Sequence, residues 1–149
     1  MNGKYLLPVA ALMVAFLCLY AGCGGKANQS TDNNKFTQYY RQGQQLYAAH
    51  CSNCHQTNGS GLARVYPPLD SSDYMDNNFD AITCLIRNGI AGPLTVNGIE
   101  FVQPMPGIPT LTDLEIAEIM TYIYNTWGRD RGLIEVTLVA ETLDNCPPR

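Results

Sequence analysis

Five consecutive residues, Cys51, Ser52, Asn53, Cys54 and His55, place two thiols and an imidazole at CxxCH spacing. Both thiols of such a unit can reach the two vinyl groups of one haem while the imidazole of the next residue faces its iron, which is the pattern of c-type haem attachment. Two other chemistries use paired cysteines. A thioredoxin-like redox pair wants a βαβ surround, which is not visible, and a zinc half-site wants further Cys or His ligands at compatible spacing. The other histidine, His50, directly precedes Cys51 and cannot readily turn onto the same metal; it reads as a solvated helix-end residue.

A His-ligated haem either keeps its sixth position open for small molecules or fills it with a second side chain, and that choice separates a carrier from a sensor or catalyst. The candidates are Met75, Met105 and Met120. Met120 shares the spacing of Ile116, Ile119 and Ile123 and reads as core. Met75 follows an Asp- and Asn-rich segment, where it could line a pocket. Met105 is displayed in Gln103-Pro104-Met105-Pro106-Gly107, a rigid loop that cannot continue a helix or a central strand. A thioether on iron favours the ferrous state, and a filled position leaves no easy site for substrate. No triad or paired carboxylate stands out as a catalytic constellation.

The elements that must position these groups are legible as periodicities. Phe36, Tyr39, Tyr40, Gly43, Leu46 and Tyr47 make one stripe of a helix running into Cys51. A mid-helix glycine costs about 1 kcal/mol against alanine, so Gly43 signals close approach of another backbone. Gly59, Gly61, Pro67, Pro68 and Leu69 read as loop. Asn78 can cap a helix over residues 79–88 that ends at Gly89, with Phe79, Ile82 and Ile86 inward. Thr112 and Glu115 form a capping box for a last helix whose face carries Ile116, Ile119, Met120, Ile123 and Trp127, with Gly128 as its stop. Tyr122, Tyr124 and Trp127 could border a haem, but aromatics at this spacing are more often core. Past Gly128, Val136, Val139, Leu143 and Cys146 fit a surface helix, and a strand over residues 133–140 competes.

On CxxCH, the loop prolines, Met105-Pro106 and the aromatic last helix, residues 36–128 resemble a class I monohaem cytochrome c domain. The resemblance implies an all-α cytochrome c fold, with one covalent haem c enclosed by N-terminal, middle and C-terminal helices and long loops. It also implies that the first and last helices cross near Gly43, with Tyr122 as a plausible partner, and that Met105 is the second axial ligand beside His55. The carbonyl twelve residues after the haem histidine, at Pro67, would accept the His55 Nδ1 proton, Pro68 being the alternative. Leu69 would pack on the porphyrin.

The 149 residues are 46% apolar, enough for one ordinary domain, and 9 Lys plus Arg against 13 Asp plus Glu give no basic field for nucleic acid. Lys4, the apolar run over residues 5–21 and small residues before Cys23 have a signal-peptide layout over residues 1–22. Tyr20-Ala21-Gly22-Cys23 resembles a bacterial lipobox, which implies a lipid on Cys23; Tyr20 departs from the motif, and plain secretory cleavage is the alternative. Residues 23–35 read as a lipid-anchored flexible polar linker and residues 129–149 as an extension packed on the domain. With Cys18 in the signal, Cys23 lipidated and Cys51 and Cys54 on haem, Cys84 and Cys146 remain; in an oxidising compartment they read as a disulfide, and otherwise as two buried thiols.

The expectation is a membrane-tethered electron carrier on the periplasmic side of the cell envelope, and not an enzyme. Its partners would be a quinol-oxidising complex or dehydrogenase as donor and a terminal oxidase or reductase as acceptor. A haem sensor with a labile sixth ligand is the alternative, and a permanent electron-transfer subunit with the tail as its interface is a third reading.

Overall fold

The structure is a computed structural model that describes residues 27–147. Among the described residues, those from 34 onward form one compact unit. The proposed signal, lipobox and Cys23 lie outside the described residues.

Helix α1, Ala27–His50, carries the expected stripe, with Tyr39 and Tyr47 buried. It begins well before the stripe. Residues 27–35, expected as part of a flexible linker, are helical: once a packed segment nucleates a helix, extension costs each polar residue only tenths of a kcal/mol. After α1 come a single turn α2, Ser52–His55, then α3, Asp73–Asn77, and α4, Phe79–Asn88. Asn78 stands at the N-cap of α4, but its amide Nδ2 donates to the Tyr74 carbonyl at 3.0 Å, so it ties α4 to α3 rather than capping α4.

Helix α5, Asp113–Ile123, starts with the anticipated capping box, Glu115 N to Thr112 Oγ1 at 3.2 Å and Thr112 N to Glu115 Oε2 at 2.7 Å. Its end is earlier than the periodicity implies. Asn125 Nδ2 takes the Thr121 carbonyl at 2.7 Å and Thr126 Oγ1 takes that of Tyr122 at 2.6 Å, so side chains cap the last turn. Trp127 is therefore off the helix, with its ring edge-on to Tyr47 at 5.6 Å between centroids. Tyr122 packs on Tyr40 and Tyr47, at 5.2 and 5.3 Å, which is the core role expected for it.

The helices enclose two short antiparallel ladders that the sequence reading did not anticipate. Strands β1, Gly89–Ile90, and β4, Met105–Pro106, pair Ile90 with Met105. Strands β2, Leu94–Val96, and β3, Ile99–Phe101, form a hairpin about Asn97-Gly98, whose φ angles of 52° and 73° are those an Asn-Gly turn supplies. The tip is fastened: Asn97 Oδ1 accepts from Asp73 N at 2.9 Å and Asn97 N donates to Asp73 Oδ1 at 2.7 Å. Of residues 133–140, for which helix and strand competed, those from Val136 onward belong to α6, Val136–Asp144. The α6 end is joined to α4 by Cys84–Cys146, with Cα atoms 5.7 Å apart.

Gly43 is where α1 meets α5. A Cβ there would collide with the Glu118 carbonyl and sit 2.9 Å from Tyr122 Cβ. Helix propensity favours alanine by about 1 kcal/mol, whereas overpacking costs about 1–3 kcal/mol. Gly43→Ala is therefore expected to lower stability in denaturant unfolding despite its better propensity; a stabilised variant would refute the crossing.

Candidate functional site

The end of α1 delivers the chemistry. Cys51 N donates to the Tyr47 carbonyl and His55 N to the Cys51 carbonyl, each at 2.9 Å, so the α2 turn is built directly on the long helix. Cys51 and Cys54 are unpaired and half-buried. Burial, reinforced by Cys54, pushes the Cys51 thiol up to about 12. Tyr47 is buried beneath them and donates its hydroxyl to the Gln56 carbonyl at 2.6 Å, which fixes the exit of the turn. Burial lifts its ionisation above the phenol range.

His55 is 9% exposed and its Nδ1 donates to the carbonyl of Pro67, not Pro68, at 3.0 Å. Burial lowers its pKa, a trend the Pro67 hydrogen bond opposes. A neutral ring donating from Nδ1 carries its lone pair on Nε2, the form in which imidazole ligates a metal. The loop that brings Pro67 there is itself knotted, with Gly61 N on the His55 carbonyl at 3.0 Å and Leu69 N on the Gly59 carbonyl at 2.7 Å.

Two adjoining cavities share His55, Pro67, Leu85, Leu94 and Met105 in their walls. Cys51 borders the first and Cys54 the second. Pro68, Leu69 and Met75 line the first. Met120 is buried in the core and lines neither, and His50 is exposed at the end of α1. Tyr122, Tyr124 and Trp127 also lie outside both walls. Sequence reasoning missed Leu94 and Val96, which the hairpin brings into the first cavity; the Asn97-Gly98 turn between alternating residues was the available signal.

The residues fit a planar, apolar tetrapyrrole: a mostly hydrocarbon lining, two thiols at the rim, an oriented imidazole and a thioether. A zinc site lacks its donors, since no group of three or more His, Cys, Asp or Glu able to hold a metal occurs among the described residues.

Residues 38–123 match the family model described as cytochrome c oxidase, cbb3-type, subunit III. A cytochrome c-552 of Thermus thermophilus is 29% identical over 120 residues, covering 78% of this chain and 71% of that protein. The cytochrome c subunit of alcohol dehydrogenase (quinone) from Gluconacetobacter polyoxogenes is 28% identical over 110 residues, 71% of this chain but only 23% of that subunit. With more than half its length matched, the chain belongs to this cytochrome family and is a class I monohaem c-type cytochrome, an electron-transfer protein with covalently bound haem c rather than an enzyme.

Proposed function

We propose that this cytochrome carries single electrons between envelope redox enzymes on a haem joined to Cys51 and Cys54, with His55 and Met105 as axial ligands. The observation that carries the ligand pair is that His55 and Met105 both line both cavities, while the rival Met75 lines only the first. Met75 is also tied by its backbone, N to Ser72 Oγ at 3.2 Å and carbonyl from Tyr124 Oη at 2.8 Å. Haem c, when bound, supplies a one-electron couple. This chain's part is to hold the imidazole through Pro67, to present the Met105 thioether from the β1–β4 ladder, and to exclude water with Leu69, Leu85 and Leu94.

Electron exchange with partners takes place at the mouth of the second cavity. Leu62 and Val65 lie in the loop leading to its wall residue Tyr66, and Val102, 68% exposed, precedes its wall residues Gln103 and Pro104. The acidic net charge of −4 favours a basic docking patch on the partner and weak, salt-sensitive encounters. The family description and the quinone-linked relatives support a quinol-oxidising complex or dehydrogenase as donor and a terminal oxidase or reductase as acceptor. The signal layout supports export to the periplasmic side, with a lipid on Cys23 as anchor. Among the described residues no helix is long and apolar enough to cross a membrane.

Visible spectra of the haem-loaded protein test the ligand pair. Met105→Ala is expected to lose the sulfur-to-ferric-iron band and to bind CO when reduced, while the unmutated protein and Met75→Ala keep the band and resist CO. Ready CO binding by the unmutated protein would move the function to sensing. Cys23→Ser, expressed with the native leader, is expected to shift the cytochrome from the membrane to the soluble fraction; unchanged fractionation would remove the lipid anchor.

A further inference from the structure

The family match ends at residue 123, yet two residues just beyond it fasten one wall of the first cavity. Tyr124 Oη donates to the Met75 carbonyl at 2.8 Å. Arg129 makes three bonds to the same segment: Nη1 to the Leu69 carbonyl at 2.9 Å, Nη2 to the Ser72 carbonyl at 3.2 Å and Nε to Asp76 Oδ1 at 2.8 Å. Leu69, Ser72 and Met75 all line the cavity. A fork of this kind spans three acceptors at fixed angles, which lysine cannot do.

The charge balance at this place is uneven. The Arg129 side chain is 13% exposed, whereas that of its partner Asp76 is 58% exposed. Water and salt screen the carboxylate far more than the guanidinium, so a net positive potential persists behind the wall. Asp130 and Arg131 line a surface recess together with Asp76, Tyr124 and Arg129 but are exposed, and Arg131 lies over the Phe79 ring at 4.0 Å. Burial holds the Tyr124 hydroxyl up to about 12, so it contributes no charge at neutral pH.

We propose that Arg129 is a positioning residue that pins the segment from Leu69 to Asp76 as a cavity wall and, as a fixed, largely sheltered positive charge behind that wall, raises the reduction potential of the haem. It rests on the haem occupying the two cavities as proposed above. Uptake of one electron at the iron lowers the charge of the site by one unit, so a fixed cation favours the reduced form.

Redox titration of the full-length, haem-loaded protein at low salt separates the roles. Arg129→Gln is expected to lower the midpoint potential, Asp76→Asn to raise it, and Arg129→Lys to keep it near wild type with a lower unfolding temperature. Arg131→Gln makes the same charge change at an exposed neighbour and should shift the potential several-fold less than Arg129→Gln. Equal shifts in Arg129→Gln and Arg131→Gln, a fall in Arg129→Lys as large as in Arg129→Gln, or no rise in Asp76→Asn would overturn the charge role. Should Arg129→Gln fail to fold, the Lys and Asp76 variants still decide. A sulfur-to-iron band kept in wild type and variants shows the ligands intact; its absence from wild type would sink the ligand assignment instead.

Discussion

The hydrogen bond from His55 Nδ1 to the Pro67 carbonyl, 3.0 Å long, constrains everything around it. It sets the tautomer, fixes the plane of the ring and leaves the lone pair on the remaining nitrogen, the form in which imidazole can ligate a metal. To make it, a loop must bring Pro67 back over His55, and the turn carrying His55 must not move. The Gly61 and Leu69 backbone bonds meet the first demand; the junction of α1 with α2, held by Tyr47, meets the second. Helix α1 in turn is locked by its crossing with α5 at Gly43, where no side chain fits.

The opposite wall is assembled from less regular parts. Met105 sits on a two-residue strand paired with β1, which directly follows α4, and Leu94 and Val96 arrive on a hairpin whose tip is clasped by Asp73. Short ladders and caps of this kind fix side chains that a loop alone would leave free. A cavity so defined on all sides suits electron transfer, which is fastest when ligands and surroundings rearrange little between oxidation states. The disulfide between Cys84 and Cys146 and the Arg129 fork bind the C-terminal extension to the same frame.

Features encoded locally were legible in the sequence. CxxCH, the α1 stripe, the Thr112–Glu115 box and the α4 boundaries depend on neighbours within a few positions, and the α4 range of Phe79–Asn88 is the one expected. The end of α5 was not legible, because it depends on Asn125 bridging to Gly132 as well as to its own helix, with Nδ2 on the Gly132 carbonyl at 2.8 Å. The Asn97-Gly98 hairpin carried a readable turn signal, but its strands are three residues each, too short for alternation to register. Arg129 gave no signal at all: its acceptors, two backbone carbonyls and one carboxylate, lie 53 to 60 residues away.

The central proposal, that Met105 and no other methionine would hold the haem iron together with His55, is most directly tested by proton–carbon NMR of the ferrous protein labelled at methionine methyl groups. Ring current from the porphyrin displaces the methyl of a bound methionine far upfield of all others. One such resonance, present in wild type and in Met75→Leu and absent from Met105→Leu, is the result expected. Its persistence in Met105→Leu, or its loss in Met75→Leu alone, would contradict the assignment.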